Sequence, residues 1–184
     1  MNILITGVHG FVGSNLVKAL VPEHTIFGLD IVAPKKEGVK KTFFWEDLPS
    51  TNLGQTQLLD FPKIDAIIHL AGKAHDTRNK STADVYFRVN TGLTQRIFDW
   101  FLTSKSAKKF IFFSTVKSAA DRVEGEFLTE ECVPTPVGPY GESKIKAEDY
   151  IIGHFAPEAL ERPYHNFNDS DSIIKDKQVY IMRP

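Results

Sequence analysis

The sequence predicts an α/β fold, a doubly wound parallel sheet flanked by helices with strand order 3-2-1-4-5-6. Three observations carry this expectation. Short apolar runs alternate with stretches of helical periodicity, the spacing of βαβ units with right-handed crossovers. A glycine-spaced segment joins the first run to the first helical stretch. The runs at 65–71 and 110–114 are continuously apolar in their middles, as in strands covered on both faces.

Taken in order, Asn2, Ile3, Leu4, Ile5 and Thr6 read as a buried strand. Phe11, Val12, Leu16, Val17 and Leu20 then recur at helical spacing until Pro22 stops the pattern. Residues 25–30 form the next strand, and 41–45 a weaker one after the charged loop 34–40. The strand at 65–71 is followed by a long helical pattern over 82–104. There Val85, Val89, Leu93, Ile97 and Phe101 are in register, with Val85, Val89 and Ile97 expected to face inward. Trp100 and Phe101 are expected to pack this helix on the sheet. Residues 110–114 form the most apolar strand, 140–155 a helix after the proline-rich loop 133–139, and 179–182 the last strand. The stretch 158–177 is polar and unpatterned apart from Ile173 and Ile174, and reads as a loop. No internal repeat is visible.

Composition narrows the class. The 184 residues suit one domain, and a chain this long buries enough surface to need no metal or disulfide staple. A single cysteine, Cys132, excludes an intramolecular disulfide and Cys-rich zinc sites. Twenty-two Lys plus Arg against 23 Asp plus Glu, without basic blocks, argue against nucleic acid or anionic membrane as a partner. With 42% hydrophobic and 24% charged residues the chain is globular rather than disordered. No apolar run approaches the ~20 residues that cross a bilayer. Gly7, Gly10 and Gly13 interrupt any signal-peptide core, and Lys18 comes late. A soluble, cytoplasmic domain is the expectation. His69 and His75 lack a metal-ligand spacing, so no metal is expected.

Gly7, Gly10 and Gly13 make a G-x-x-G-x-x-G turn between strand and helix. Such a turn tolerates positive φ and lets backbone approach a pyrophosphate, to which the helix N-terminus offers N–H groups and partial positive charge. The plainer alternative is a tight turn with incidental glycines. Asp30, however, ends the second strand, where an acidic side chain meets an adenosine ribose. A carboxylate there accepts bonds from the 2′- and 3′-hydroxyls and repels a 2′-phosphate, which favours NAD over NADP. Lys35 and Lys36 follow closely and are expected to face water.

Tyr140 and Lys144 are four residues apart, on one helix face with Cβ atoms about 5–6 Å apart. The ammonium favours tyrosinate and lowers the phenol pKa toward the range of general acid–base work. A solvated helix face is the alternative. Ser114 and Thr115 end the fifth strand, and open parallel sheets bind ligands beyond the carboxyl ends of strands. Thr115 is thus placed to share a substrate oxygen with Tyr140, polar capping of the strand end being the alternative.

Together these motifs make the chain resemble an extended short-chain dehydrogenase/reductase, specifically the NAD-dependent epimerase/dehydratase group acting on nucleotide sugars. The resemblance lies in Thr6-Gly7-Val8-His9-Gly10-Phe11-Val12-Gly13, Asp47-Leu48, His69-Leu70-Ala71-Gly72, Val89-Asn90-Thr91-Gly92, Phe112-Phe113-Ser114-Thr115, Pro139-Tyr140-Gly141-Glu142-Ser143-Lys144 and Ile181-Met182-Arg183-Pro184. It implies a Rossmann sheet in which Gly7, Gly10 and Gly13 hold the NAD pyrophosphate, with backbone N–H groups from Phe11 and Val12. It implies Asp30 on the ribose, Asp47 and Leu48 along the adenine, and Leu70, Ala71 and Gly72 beneath the cofactor. Asn90 would support the central sheet, and Ser114 joins the cofactor-binding set. Lys144 would bind the nicotinamide ribose and poise Tyr140, the base, while Thr115 orients the sugar hydroxyl.

The implied reaction is epimerisation of a UDP-hexose by hydride abstraction and return. Val116-Lys117 follows Thr115 where the group's 4,6-dehydratases carry Asp-Glu, which disfavours dehydration. The run Ser114-Thr115-Val116-Lys117 is similar to that of the subgroup acting on N-acetylated UDP-hexoses. Lys73 and His75 either face the nucleotide sugar or are exposed loop residues. Two other readings stand beside epimerisation: a nucleotide-sugar ketoreductase or dehydrogenase of the same fold, and a non-catalytic NAD-binding module. The last gains weight because the chain stops at Arg183-Pro184, which points to one domain over 1–184 without the group's C-terminal substrate lobe. A homodimer is a further implied expectation.

Overall fold

The computed structural model describes residues 1–49, 61–74, 82–123, 125–129, 132–161 and 172–184. Six strands, β1 (Asn2–Thr6), β2 (Thr25–Asp30), β3 (Val39–Phe44), β4 (Ala66–His69), β5 (Lys109–Phe113) and β6 (Gln178–Met182), form one sheet in the order β3-β2-β1-β4-β5-β6. Pairing is parallel at β3/β2, β2/β1, β1/β4 and β4/β5. Helices α1 (Phe11–Leu20), α2 (Ala83–Tyr86), α3 (Leu93–Thr103) and α4 (Gly138–Phe155) lie between the strands in sequence. This is the doubly wound Rossmann topology that the sequence predicts. The order reverses at β1, whose neighbours are β2 and β4, and Thr6 and His69 are register partners at the carboxyl ends beside that reversal.

The chain divides into two compact units, Met1–Ala71 with Arg96–Phe112, and Gly72–Gln95 with Phe113–Pro184. In the first, Ile3, Ile5, Val8, Val17, Ile26 and Ala66 form a buried cluster, to which Leu16 and Leu20 of α1 add partly buried area. Ile97, Phe98 and Phe101 of α3 are fully buried, and the Phe98 and Phe101 rings meet Phe110 of β5 at 5.0 and 5.3 Å between centroids. Trp100 is buried against Phe61. The expected packing on the sheet is observed for Phe101, while Trp100 meets Phe61, which precedes β4 and lies outside the sheet.

Element ends depart from the apolar pattern for identifiable reasons. β3 starts at Val39, after a turn with Gly38 at φ +80°, and Trp45 leaves it because the Asp47 carboxylate accepts the Phe44 N–H at 2.8 Å and closes a 3-10 turn, Trp45–Asp47. β4 stops at His69, after which Leu70 N–H is shared between Thr6 O at 3.3 Å and Thr6 Oγ1 at 3.1 Å and Ala71 N–H turns to Thr6 Oγ1 at 2.9 Å.

The helical stretch 82–104 is α2, a π-helical turn at Phe87–Gly92 and α3. Its buried stripe runs through Tyr86, Asn90, Thr94, Ile97, Phe98 and Phe101, and this corrects the expectation that Val85 and Val89 face inward; both are half-buried. A π turn accommodates an extra residue and so rotates the faces on either side of it. In the second unit Ser114 N–H donates to Met182 O at 2.7 Å. The stretch expected to be loop begins instead with a 3-10 turn, Pro157–Glu161, that buries Ala159; residues 162–171 lie outside the described residues. Among the described residues no helix is long and apolar enough to cross a membrane.

Phe110 is fully buried among His69, Phe98 and Phe101. Phe110→Ala should cost about 3–5 kcal/mol in unfolding free energy, measured by denaturant titration.

Candidate functional site

In the first unit the site is a backbone cradle. Gly7 follows β1 at φ +67°, and a Cβ there would stand 3.0 Å from Ala71 N. A Cβ on Gly13 would come within 2.5 Å of Gly7 O, so α1 can approach the turn only without a side chain at that position. Gly10 N–H donates to Gly7 O at 3.0 Å and Ser14 N–H to Gly10 O at 2.9 Å. Gly10 caps α1 without a side-chain bond, and no acidic residue lies in the first turn. Its leading N–H groups thus face no local carboxylate, while Phe11 and Val12 are exposed.

Asp30 stands at the end of β2. Its carboxylate accepts the N–H groups of His9 at 3.1 Å and Ile31 at 2.7 Å, which aims it back toward the glycine turn. His9 Nε2 lies 3.2 Å from Thr42 Oγ1, and burial lowers its pKa, Asp30 opposing and Lys36 assisting. Lys35 is exposed as expected. Lys36 corrects the expectation of a water-facing side chain: its ammonium donates to Ser14 Oγ at 2.6 Å. Asp47 is occupied in closing its 3-10 turn and Leu48 is buried.

Thr6 anchors the other side of the cradle. Its Oγ1 accepts from Leu70 and Ala71, so its proton goes to His69 Nδ1 at 2.6 Å. That assignment leaves His69 as the neutral Nε2–H tautomer. The ring is fully buried and stacked on Phe112 at 5.5 Å, which makes it a core histidine. His75 lies outside the described residues, among which no cluster of three His, Cys, Asp or Glu could hold a metal ion.

In the second unit α4 carries Tyr140 and Lys144. It starts at Gly138, φ +80°, with Pro139 in its first turn, where a missing N–H costs nothing. Tyr140 is half-buried, its ring edge-on to Tyr86 at 6.4 Å. Lys144 is 5% exposed, and its Nζ donates to Phe113 O at 2.7 Å. Burial lowers its pKa to about 8, against the raising influence of Glu148. The Thr115 hydroxyl accepts the Lys117 N–H at 3.3 Å and caps the 3-10 turn Val116–Ser118. Lys117 itself is exposed and paired with Asp121 at 2.9 Å. Gly141 packs on this turn so closely that a Cβ would collide with Lys117 O.

Asn90 sits in the π turn, 1% exposed. Its Oδ1 accepts Lys73 N–H at 2.6 Å, and its Nδ2 donates to Lys73 O at 3.2 Å and Ser143 Oγ at 3.0 Å. Thr91 Oγ1 donates to Ser143 O at 2.8 Å. The segment after Gly72 is thereby tied to α4, and Lys73 is half-buried with its Nζ 5.4 Å from the Tyr86 ring centre. Ser114 is buried and its hydroxyl donates to Glu148.

Thr6, His9 and Ser143 enter the sequence reading only as members of its motifs, with no role given, and Glu148 does not enter it. Only Glu148 had a legible signal, since it continues the Tyr140–Lys144 face at helical spacing.

The family described as NAD dependent epimerase/dehydratase matches residues 3–158. Among curated relatives, the UDP-glucose 4-epimerase of Streptococcus mutans is 27% identical over 154 residues, covering 80% of this chain and 45% of that protein. The UDP-glucose 4-epimerase of Vibrio cholerae is 28% identical over 169 residues, covering 87% and 49%. The chain thus spans less than half the length of these relatives. Among solved structures, UDP-glucuronic acid 4-epimerase from Bacillus cereus in complex with NAD superposes with a TM-score of 0.60 at 27% identity, covering 82% of this chain and 51% of that one. MoeE5 in complex with UDP-glucuronic acid and NAD reaches a TM-score of 0.69 at 22% identity, covering 100% and 54%, and supports the fold. With its glycine turn, its sheet order and most of its length accounted for, this chain belongs to the NAD dependent epimerase/dehydratase family.

Proposed function

We propose that the chain carries an NAD-dependent nucleotide-sugar epimerase activity on a UDP-hexose, with Tyr140 as the base. The observation that carries this reading is a buried lysine, Lys144, one helical turn from Tyr140, whose pKa of about 8 lies near the working range of acid–base chemistry.

The residues present fit NAD. The approach of Gly13 to Gly7 O leaves bare backbone where a pyrophosphate needs it, with Gly10 and the N–H groups of Phe11 and Val12 beside it. Asp30 is the ribose acceptor and disfavours a 2′-phosphate. Asp47 and Leu48 fall toward the adenine, and Leu70, Ala71 and Gly72 under the cofactor, Leu70 and Ala71 fixed by Thr6. In the second unit Lys144 takes the nicotinamide ribose, with Asn90 and Ser114 holding its surroundings. NAD, when bound, takes up and gives back hydride, so the protein's own groups handle protons and pose.

Tyr140 Oη takes the proton of the sugar hydroxyl and later returns it. Lys144 stabilises the tyrosinate while it is an ammonium, which holds below pH ~8 and is lost as the pH rises through that value. Thr115 Oγ1 orients the same sugar oxygen. The exposed Val116 and the Lys117–Asp121 pair, in place of an acid pair, support epimerisation over dehydration. The relatives' UDP-glucose and UDP-glucuronic acid substrates support the UDP-hexose class.

NAD⁺ should raise the melting temperature saturably and NADP⁺ should not; Asp30→Ala should weaken NAD⁺ binding by about 1.5–3 kcal/mol, read by titration calorimetry. Tyr140→Phe should retain NAD⁺ binding and lower the kcat of UDP-glucose/UDP-galactose interconversion by about 10²–10⁴-fold. Net consumption of reduced cofactor would identify a ketoreductase instead. NAD⁺ binding without turnover of any UDP-hexose would leave a binding module.

A further inference from the structure

Glu148 lies one turn beyond Lys144 on α4 and is fully buried. A carboxylate in such a place is costly unless every lone pair is met and its charge is countered. Its Oε1 receives the Ser114 hydroxyl and lies 2.7 Å from Ser118 Oγ. Its Oε2 takes the Arg183 guanidinium through Nε at 3.0 Å and Nη2 at 2.5 Å. Ser118 Oγ is also 2.7 Å from Thr115 O; its single proton serves one of these two oxygens at a time, and the hydroxyl sits between the carboxylate and the backbone of Thr115. Three segments therefore converge on one side chain: the turn bearing Ser114 and Thr115, the helix bearing Lys144, and the end of β6.

The charge balance is specific. Arg183 pairs directly with Glu148, and Lys144, one turn back on the same helix, is buried with it and feels the same carboxylate at longer range. Charged groups on the elements packed against α4, namely Asp84, Arg88, Lys117, Glu158 and Glu161, are all exposed, as are Glu142, Lys146 and His154 on α4 itself. Asp149 is half-buried. Among the described residues, Glu148 is the fully buried carboxylate, and it stands one turn from Lys144 on the same helix.

We propose that Glu148 is a positioning residue of the candidate site: its carboxylate locks the Ser114–Ser118 turn that carries Thr115 and serves as the fixed counter-charge of the Lys144 ammonium. The inference rests on the reading of Tyr140 and Lys144 as the acid–base pair. The pKa of Lys144 supports it, since Glu148 is the group that opposes the lowering by burial.

The test is an NMR titration of the full chain with ¹³C,¹⁵N-labelled lysine and ¹³C-carboxyl-labelled glutamate, the Lys144 Cε signal being assigned with Lys144→Arg and the Glu148 carboxyl signal with Glu148→Gln. Wild type should hold Lys144 as the ammonium at pH 7, with the Glu148 carboxyl carbon reporting an ionised group there. Glu148→Gln should move the Lys144 midpoint down by a pH unit or more, and Glu148→Asp, which keeps the charge, should restore it. A merely structural role would lower stability in both variants and leave the midpoint in place. An unchanged midpoint in folded E148Q overturns the proposal. So does a neutral Lys144 or a protonated Glu148 at pH 7 in wild type, which decides the matter should E148Q fail to fold. The alkaline limb of UDP-hexose turnover should shift with the midpoint. A shifted midpoint in a chain that turns over no UDP-hexose would sink the epimerase reading and leave the role of Glu148 standing.

Discussion

Where a parallel strand ends, the next backbone groups lose their ladder partners, and burial forbids leaving them unpaired. Much of the candidate site consists of what replaces those partners. One hydroxyl, of Thr6, takes the two N–H groups that follow β4. One amide, of Asn90, takes both the N–H and the carbonyl of Lys73. One ammonium, of Lys144, takes the carbonyl of Phe113 at the end of β5. The side chains that finish the strands are thereby fixed before any ligand arrives, which is the preorganisation that binding and catalysis require.

The two units solve this problem with different electrostatics. The first uses neutral groups around Thr6 and His69, and keeps the charges of Asp30 and Lys36 half-buried at the rim. The second accepts buried charge and balances it, with Glu148 between Arg183 and Lys144. Neutral scaffolding suits a surface that must receive an anion through backbone N–H groups alone. Buried charge suits a site in which a proton has to change hands, because fields act over distance where water is excluded.

The same division explains what was legible in the sequence. Strands and glycine turns announce themselves through apolar continuity and spacing, so all six strands and the helices α1 and α4 could be placed within a residue or two. Tyr140, Lys144 and Asp30 could be singled out as candidates because the chemistry proposed for them depends on a fixed offset. Buried polar side chains carry no such mark. Asn90 and Thr94 occupy core positions that an apolar count skips, and the π turn shifts the stripe that the count was following. Thr6 and Ser143 look like ordinary polar residues until their partners, far away in sequence, are known. Lys36 looked solvated because nothing in its neighbourhood along the chain foretells Ser14.

Gly141 has a consequence for how this chain can diverge. The first turn of α4 rests directly on the main chain at Lys117, so the separation between the Thr115 turn and the Tyr140 helix is gauged by van der Waals contact of one backbone with another. The connecting segment shares in this: Ala119 is fully buried, Thr135 N–H donates to Ala119 O at 2.6 Å, and Pro136 packs beside Gly141. With no side chain at Gly141 the turn and the helix meet main chain to main chain, so any larger residue at that one position would force them apart.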